Sequence, residues 1–183
     1  MNICVFCGSS TGSEPIYKEA AHELGTLIGS SHHTLIYGGG NVGLMGIVAD
    51  ATLAAGGKVV GVIPEFLQRR EVAHNGLTQL EVVDTMHQRK QRMAEMTDAF
   101  IAMPGGWGTL DELAEILTWR QLGLIQSSIG ILNTNKFFDH LLAQMNLMTR
   151  HGFLGEGSLG VLKVEQQPHQ LLTQLGVFSV QAG

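Results

Sequence analysis

The sequence predicts an α/β fold: a Rossmann-like, doubly wound parallel sheet with helices on both faces. Three observations carry this. Short apolar, strand-like runs alternate with longer helix-like runs along the chain. Glycines cluster directly after the apolar runs, where tight turns belong, and do not form a low-complexity tract. With 44% of its 183 residues apolar and only 15% charged, the chain suits a well-buried core.

The elements follow in order. "NICVFC" (2–7) is the first strand, and Cys4 and Cys7 lie in it. A C-x-x-C redox pair opens a helix, whereas three steps along a strand span about 10 Å with side chains on opposite faces, so these thiols read as core. A helix is expected over 14–29, then "TLIYG" (34–38), a helix over 43–55 and "KVVGVI" (58–63). The polar segment 64–79 reads as a loop with one helical turn. "LEVVD" (80–84), a helix over 86–97, "AFIAM" (99–103), a helix over 109–122, "SIGIL" (128–132) and a helix over 136–149 continue the alternation. A short strand at "GVLKV" (160–164) and a helix over 167–175 close it. No linker or repeat interrupts this order, so residues 1–183 are expected to be one domain.

Composition excludes some classes. The 24 glycines are about 13% of the chain, nearly twice the usual share of roughly 7%. A formal net charge of −5 argues against general binding to nucleic acid or membrane surfaces. No apolar run reaches the ~18–20 residues that span a bilayer, and "MNICVFCGSS" has no basic leader, so a cytoplasmic protein is expected. The histidines show no metal spacing, "CGSS" is not a G-x-S-x-G elbow, and Asp50 and Asp139 read as ordinary helix residues.

In doubly wound folds ligands bind beyond the carboxyl ends of the strands. Three of those ends are polar or glycine-rich: "CGSSTGS" after the first strand, "GGGNVGLMG" after the second and "PGGWGT" after the fifth. After the second strand, Gly38, Gly40 and Gly43 satisfy G-x-G-x-x-G between a strand and a helix. The loop follows the second strand instead of the first, and only Glu65 stands for the acidic partner, so turn glycines or a contact in another kind of nucleotide site fit better than a dinucleotide. After the fifth strand, "PGGWGTLDE" (104–112) places Gly105, Gly106, Gly108 and Thr109 at a helix start, a plausible phosphate cradle of unpaired N–H groups at the positive dipole end. Thr109 to Glu112 is also T-x-x-E, a capping box, so Glu112 has a structural reading beside a catalytic one.

"MHQRKQRMAEMTD" (86–98) breaks its own pattern. At about 100° per residue, Met86, Met93 and Thr97 fall within roughly 20° of one line, and Arg89 and Lys90 lie inside that apolar stripe. Either their stems snorkel, or the stripe borders a pocket where the cations meet an anion. Arg92 reads as solvated. The helix over 109–122 is apolar on two sides, with Leu110, Leu113, Ala114 and Leu117 on one and Ile116 and Trp119 opposite. One side can pack on the sheet, and a partner subunit would cover the other.

With "PGGWGTLDE" and "MHQRKQRM" in hand, joined by "VFCGSS", "YGGGNVGLMG" and "GVIP" in the same order, residues 2–175 resemble the Lonely Guy (LOG) family of cytokinin riboside 5'-monophosphate phosphoribohydrolases. The short length resembles the compact, dimeric branch of that family. The resemblance implies a Rossmann-like fold, a homodimer, and hydrolysis of the N-glycosidic bond of a nucleoside 5'-monophosphate without metal or redox cofactor. It makes Arg89 and Glu112 the catalytic pair. Substrate contacts would come from Lys90, from Gly106, Trp107, Gly108, Thr109, Leu110 and Asp111, from Thr118, and from Glu71 in the irregular segment. Gly105 and the matching loop residues Ser9, Gly39 and Gly40 join them. A carboxylate would stabilise the developing oxocarbenium ion and orient water, Arg89 would keep it ionised, and the cradle would grip the 5'-phosphate. Sequences of this type have also been labelled possible lysine decarboxylases, which need pyridoxal phosphate on a lysine. Of the five lysines only Lys90 sits near the expected pocket, and it is better used on an anion. A non-catalytic nucleotide-binding or sensing protein is the alternative. It would need the cradle but not Arg89 with Glu112.

Overall fold

The computed structural model describes residues 1–68 and 72–178. Among these, seven strands form one sheet in the order β4-β3-β2-β1-β5-β6-β7, every neighbouring pair parallel. The strands are β1 (Asn2–Phe6), β2 (Thr34–Tyr37), β3 (Lys58–Pro64), β4 (Gln79–Val83), β5 (Ala99–Ala102), β6 (Ser128–Leu132) and β7 (Leu162–Glu165). The helices are α1 (Pro15–Ser30), α2 (Gly43–Ala54), α3 (Met86–Glu95), α4 (Trp107–Gln121), α5 (Asp139–Arg150) and α6 (Pro168–Gln174). The fold is the expected α/β, Rossmann-like one.

The chain runs outward from β1 to β4, then returns to the other side of β1 with β5 and runs outward again to β7. The order reverses between β1 and β5, which pair from Ile3↔Ala99 to Phe6↔Ala102. A crevice opens at the carboxyl ends of such a strand pair, because the flanking connections leave to opposite faces.

Alternation along β1 splits the core. Ile3, Val5 and Cys7 join residues of α1, α2 and α6 on one face, while Cys4 and Phe6 join Met93, Leu113, Ile116 and Phe138 on the other. The two thiols therefore sit on opposite faces, both buried and free, as strand geometry requires. The irregular segment contains the one expected helical turn, a 3-10 turn at Glu65–Leu67.

Three elements start two or more residues from where the sequence reading puts them. Helix α5 starts three residues later than expected, at Asp139. Asn133 intervenes: its Oδ1 accepts the Phe138 N–H at 2.8 Å and its Nδ2 donates to Asp139 Oδ1 at 2.8 Å. Strand β7 starts two residues late behind a 3-10 turn at Ser158–Val161. Helix α4 starts two residues early, which bears on the site. Among the described residues, no helix is long and apolar enough to cross a membrane.

Candidate active site

Three loops converge where the sheet order reverses. Gly8, just beyond β1, donates its N–H to Pro104 O at 3.1 Å and accepts from Leu44 N at 3.0 Å, so the first loop is tied to the loop after β5 and to the start of α2. A Cβ on Gly105 would lie 2.1 Å from Thr109 Oγ1 and 2.9 Å from Gly8 N, so only glycine allows this approach.

The Thr109–Glu112 capping box is not formed, which corrects the expectation. The N-cap is Gly106, no side chain caps the helix, and Thr109 is the third helical residue, buried against Gly105. The two-residue shift follows from that packing: Thr109 is used as a core contact and the glycines before it start the turn. Trp107, Gly108 and Thr109 are thus the helix's first turn, whose N–H groups have no intrahelical partner. The capping signature works instead on α3. Thr85 accepts the Gln88 N–H at 3.1 Å, and Gln88 Oε1 accepts the Asp84 N–H at 2.9 Å.

A cavity of about 220 Å³ opens at this end of the sheet. Gly106, Trp107, Gly108 and Thr109 form one side, with Asp111 and Glu112 from the next turn of α4. Met86 and Arg89 enter from α3, and Cys7, Gly8 and Ser9 form the floor at the end of β1. Met45 and Leu67 complete it. A second cavity, of about 290 Å³, shares Gly8, Ser9 and Gly106 with the first and also touches Gly105. Tyr17 and Phe137 wall it, edge to face with centroids 5.9 Å apart.

Arg89 does not snorkel. Its side chain is buried, with Nη2 donating to Gly38 O at 3.0 Å and Nη1 placed 3.9 Å from Met86 Sδ. Gly38 admits it, since a Cβ there would fall 1.9 Å from Nη2. Lys90, the next residue, turns to α4 and places Nζ 2.6 Å from Asp111 Oδ2 and 3.3 Å from Glu115 Oε2. Burial lowers its pKa, but the Asp111 and Glu115 carboxylates outweigh that and leave it above the ordinary lysine value. Arg92 is a surface residue that pairs with Glu81 and Glu95. Burial pushes the Cys4 and Cys7 thiols well up, and the negative charge of Glu112 pushes both the same way. Arg89 acts in the opposite direction on Cys4. Both charges therefore act on the end of β1.

The cavity brings together Ser9, Arg89, Gly106, Trp107, Gly108, Thr109, Asp111 and Glu112 from the sequence reading. It does not bring in Lys90, held between α3 and α4, or Thr118, which lies in a groove beside α5 and donates to Ala114 O. Leu110 packs toward the core. Gly39 and Gly40 are buried, with Gly39 O accepting from His74 N and Gly40 bridged to Ala73. Glu71 lies outside the described residues. Cys7, Gly8, Met45, Leu67 and Met86 line the cavity without having been assigned to it from sequence. Cys7 and Gly8 fall in the polar strand end "CGSSTGS", Met45 in "YGGGNVGLMG" and Met86 in the stripe of α3, whereas Leu67 carried no signal.

Comparison with known proteins adds the following. Residues 45–175 match the family described as "Possible lysine decarboxylase". The chain is 42% identical over 173 residues to the cytokinin riboside 5'-monophosphate phosphoribohydrolase LOG1 of Arabidopsis thaliana, spanning 94% of this chain and 81% of that protein. It is 41% identical over 173 residues to the cytokinin riboside 5'-monophosphate phosphoribohydrolase LOG of Oryza sativa subsp. japonica, spanning 94% of this chain and 72% of that one. Among solved structures it resembles the molybdenum cofactor carrier protein of Chlamydomonas reinhardtii, with TM-score 0.72, 19% identity and coverage of 97% and 98% of the two chains. It also resembles the molybdenum cofactor binding protein of Rippkaea orientalis, with TM-score 0.71, 21% identity and coverage of 96% and 95%. At such identities the structural likeness speaks for the fold alone.

Proposed function

This chain belongs to the Lonely Guy (LOG) family, and we propose that it hydrolyses the N-glycosidic bond of adenosine 5'-monophosphate or its N6-substituted forms, releasing the base and ribose 5-phosphate. The observation that carries this reading is the common cavity of Arg89, Glu112 and the uncapped first turn of α4. A helix start of this kind suits a phosphate dianion. A carboxylate one turn further suits the cationic sugar that forms as the glycosidic bond breaks.

In this mechanism the N–H groups of Trp107, Gly108 and Thr109 hold the 5'-phosphate, and that remote binding fixes the ribose. Glu112 orients a water molecule and takes its proton as the water oxygen bonds to C1'. The C1'–N bond breaks, its electron pair leaves with the base, a base nitrogen takes up a proton from solvent, and Glu112 returns the proton it took to solvent, so that one water molecule is consumed overall. Arg89, anchored on Gly38 O, supplies the positive charge beside the carboxylate. The family description also raises decarboxylation on pyridoxal phosphate, which needs a lysine poised as a neutral nucleophile. Among the described residues no lysine lines the cavity, and Lys90, paired with the cavity's Asp111, does not fit that group, since Asp111 and Glu115 hold it as an ammonium.

The same reading makes residues 1–183 one domain and the protein a cytoplasmic homodimer. A groove of about 480 Å³ between α4 and α5, lined by Leu117, Leu141, Met145 and Met148, supports the second copy, because it is the apolar side of α4 that the sheet leaves uncovered.

The test is a panel of nucleoside 5'-monophosphates incubated with the protein and analysed for free base. Adenine and ribose 5-phosphate in equal amounts from AMP are expected. Binding of AMP with no base released from any member would favour the non-catalytic sensor.

A further inference from the structure

The glycine loop that matched a dinucleotide fingerprint has its backbone engaged from two sides. On one side Gly38 O receives Arg89. On the other, residues 72–74 lie along the loop like a short strand: Gly39 O accepts from His74 N at 3.0 Å, Asn41 N donates to Val72 O at 2.9 Å, and Gly40 and Ala73 form an antiparallel bridge. Val72 has φ +47°, an unfavourable conformation for a β-branched residue that persists only under outside support.

His74 supplies that support. Its ring is buried, 7% exposed, and both nitrogens are used. Nδ1 lies 3.0 Å from the Gly76 amide, which can only donate, so Nδ1 is the acceptor and the proton sits on Nε2. Nε2 then donates to Asp50 Oδ1 on α2 at 2.9 Å. One side chain thus ties the segment after β3 to its own following turn and to a helix on the other side of the glycine loop.

We propose that the Asp50–His74 pair is a clasp that positions the active site. By pressing residues 72–74 onto Gly39–Asn41 it fixes the carbonyl of Gly38, and that carbonyl fixes Arg89. It also holds Leu67 as a wall of the cavity, because the Ala73 N–H beside His74 donates to O of Gln68, the residue after Leu67, at 3.0 Å. Neither Asp50 nor His74 lines the cavity, so each acts as a positioning residue. In this role the glycine loop is a mount for an arginine and not a cradle for phosphate. The inference rests on the hydrolase reading for its kinetic consequence, but its structural consequence stands apart from it.

The experiment compares His74→Ala, His74→Gln, Asp50→Asn and Asp50→Ala in the full chain, each assayed with AMP well below its own melting midpoint. His74→Ala is expected to lower kcat/KM about 10- to 100-fold, mostly through kcat, because a misplaced catalytic group costs rate. His74→Gln, which keeps one acceptor and one donor, is expected to recover most of that. Asp50→Asn keeps an acceptor for Nε2–H and should stay within about threefold of wild type. Hydrogen exchange is measured in parallel, and the Asn41 and His74 amides should exchange faster in His74→Ala. If that variant does not fold, Asp50→Ala, altered on an exposed side chain, takes its place with the same expectations. Wild-type kcat and KM in the folded variant overturn the proposal, whatever the change in Tm. If wild-type protein cleaves no nucleotide, the hydrolase reading fails, and unchanged exchange at those two amides then overturns the clasp by itself.

Discussion

Arg89 owes its position to a missing methyl group. In Gly38→Ala the new Cβ meets Nη2 at 1.9 Å, and the end of a flexible side chain yields more easily than the backbone does. The fold should therefore tolerate the change, with a melting midpoint within a few degrees of wild type, while base release from AMP falls about 10- to 100-fold. A loss of both together would place Gly38 in the folding core instead. The thiols test the interior at the same scale. Burial, and after it the charge of Glu112, raises both Cys4 and Cys7, so the folded state holds their protons more tightly than the unfolded chain. That contribution is complete below the unfolded thiol value of about 8.5 and is lost as pH rises from there toward the folded value. The urea midpoint should fall between pH 8 and pH 10, and by less in Cys7→Ala. A thiol reagent at pH 8 should find neither cysteine until the protein is denatured.

At the scale of elements the sequence was legible wherever hydrophobic period and turn chemistry agreed. All seven strands and six helices fall where apolar runs and glycines announce them, because a parallel sheet buried on both faces leaves little ambiguity in its strands. The exceptions have local causes. Asn133 delays α5 by binding Phe138 and Asp139. T-x-x-E at residues 109–112 has a cap's spelling, but Thr109 is buried against Gly105 and the helix begins before it. Thr85-x-x-Gln88 has nearly the same spelling and does cap α3. Spacing gives the residue types. Packing decides which copy caps. The cavity was legible for the same reason and to the same depth. Arg89 stood out because a cation in an apolar stripe needs an explanation, and it proves buried. Lys90 stood out equally, yet it spans α3 and α4 through Asp111 and Glu115, one residue beyond Arg89 and on either side of Glu112 in the helix order. Asp50 carried no sign of His74, since their pairing depends on how the segment after β3 folds back.

For the whole molecule, the sheet explains one side of α4 and leaves the other unexplained. The division differs from the one read in the sequence: Leu113 and Ile116, there placed on opposite sides of the helix, both enter the core, whereas Leu117 faces the groove beside Met145 and Met148 of α5. Leu122 and Leu124, 66% and 68% exposed, extend the apolar surface past the end of the helix. Apolar ground of this kind is what a subunit contact buries. Sedimentation should give twice the chain mass of 19.7 kDa for wild type and the single mass for Met145→Asp, with the fold kept. A monomeric wild type would remove the dimer from the account and leave the chemistry standing.

That chemistry turns on Glu112, whose removal separates hydrolysis from binding. The measurement is base release from AMP by wild type and by Glu112→Gln, alongside calorimetric titration of both proteins with AMP. Wild type should release adenine and ribose 5-phosphate in step. Glu112→Gln should bind AMP within a few-fold of wild type and release adenine about 10²- to 10⁴-fold more slowly. Undiminished release by Glu112→Gln, or adenosine and phosphate as the wild-type products, would contradict it.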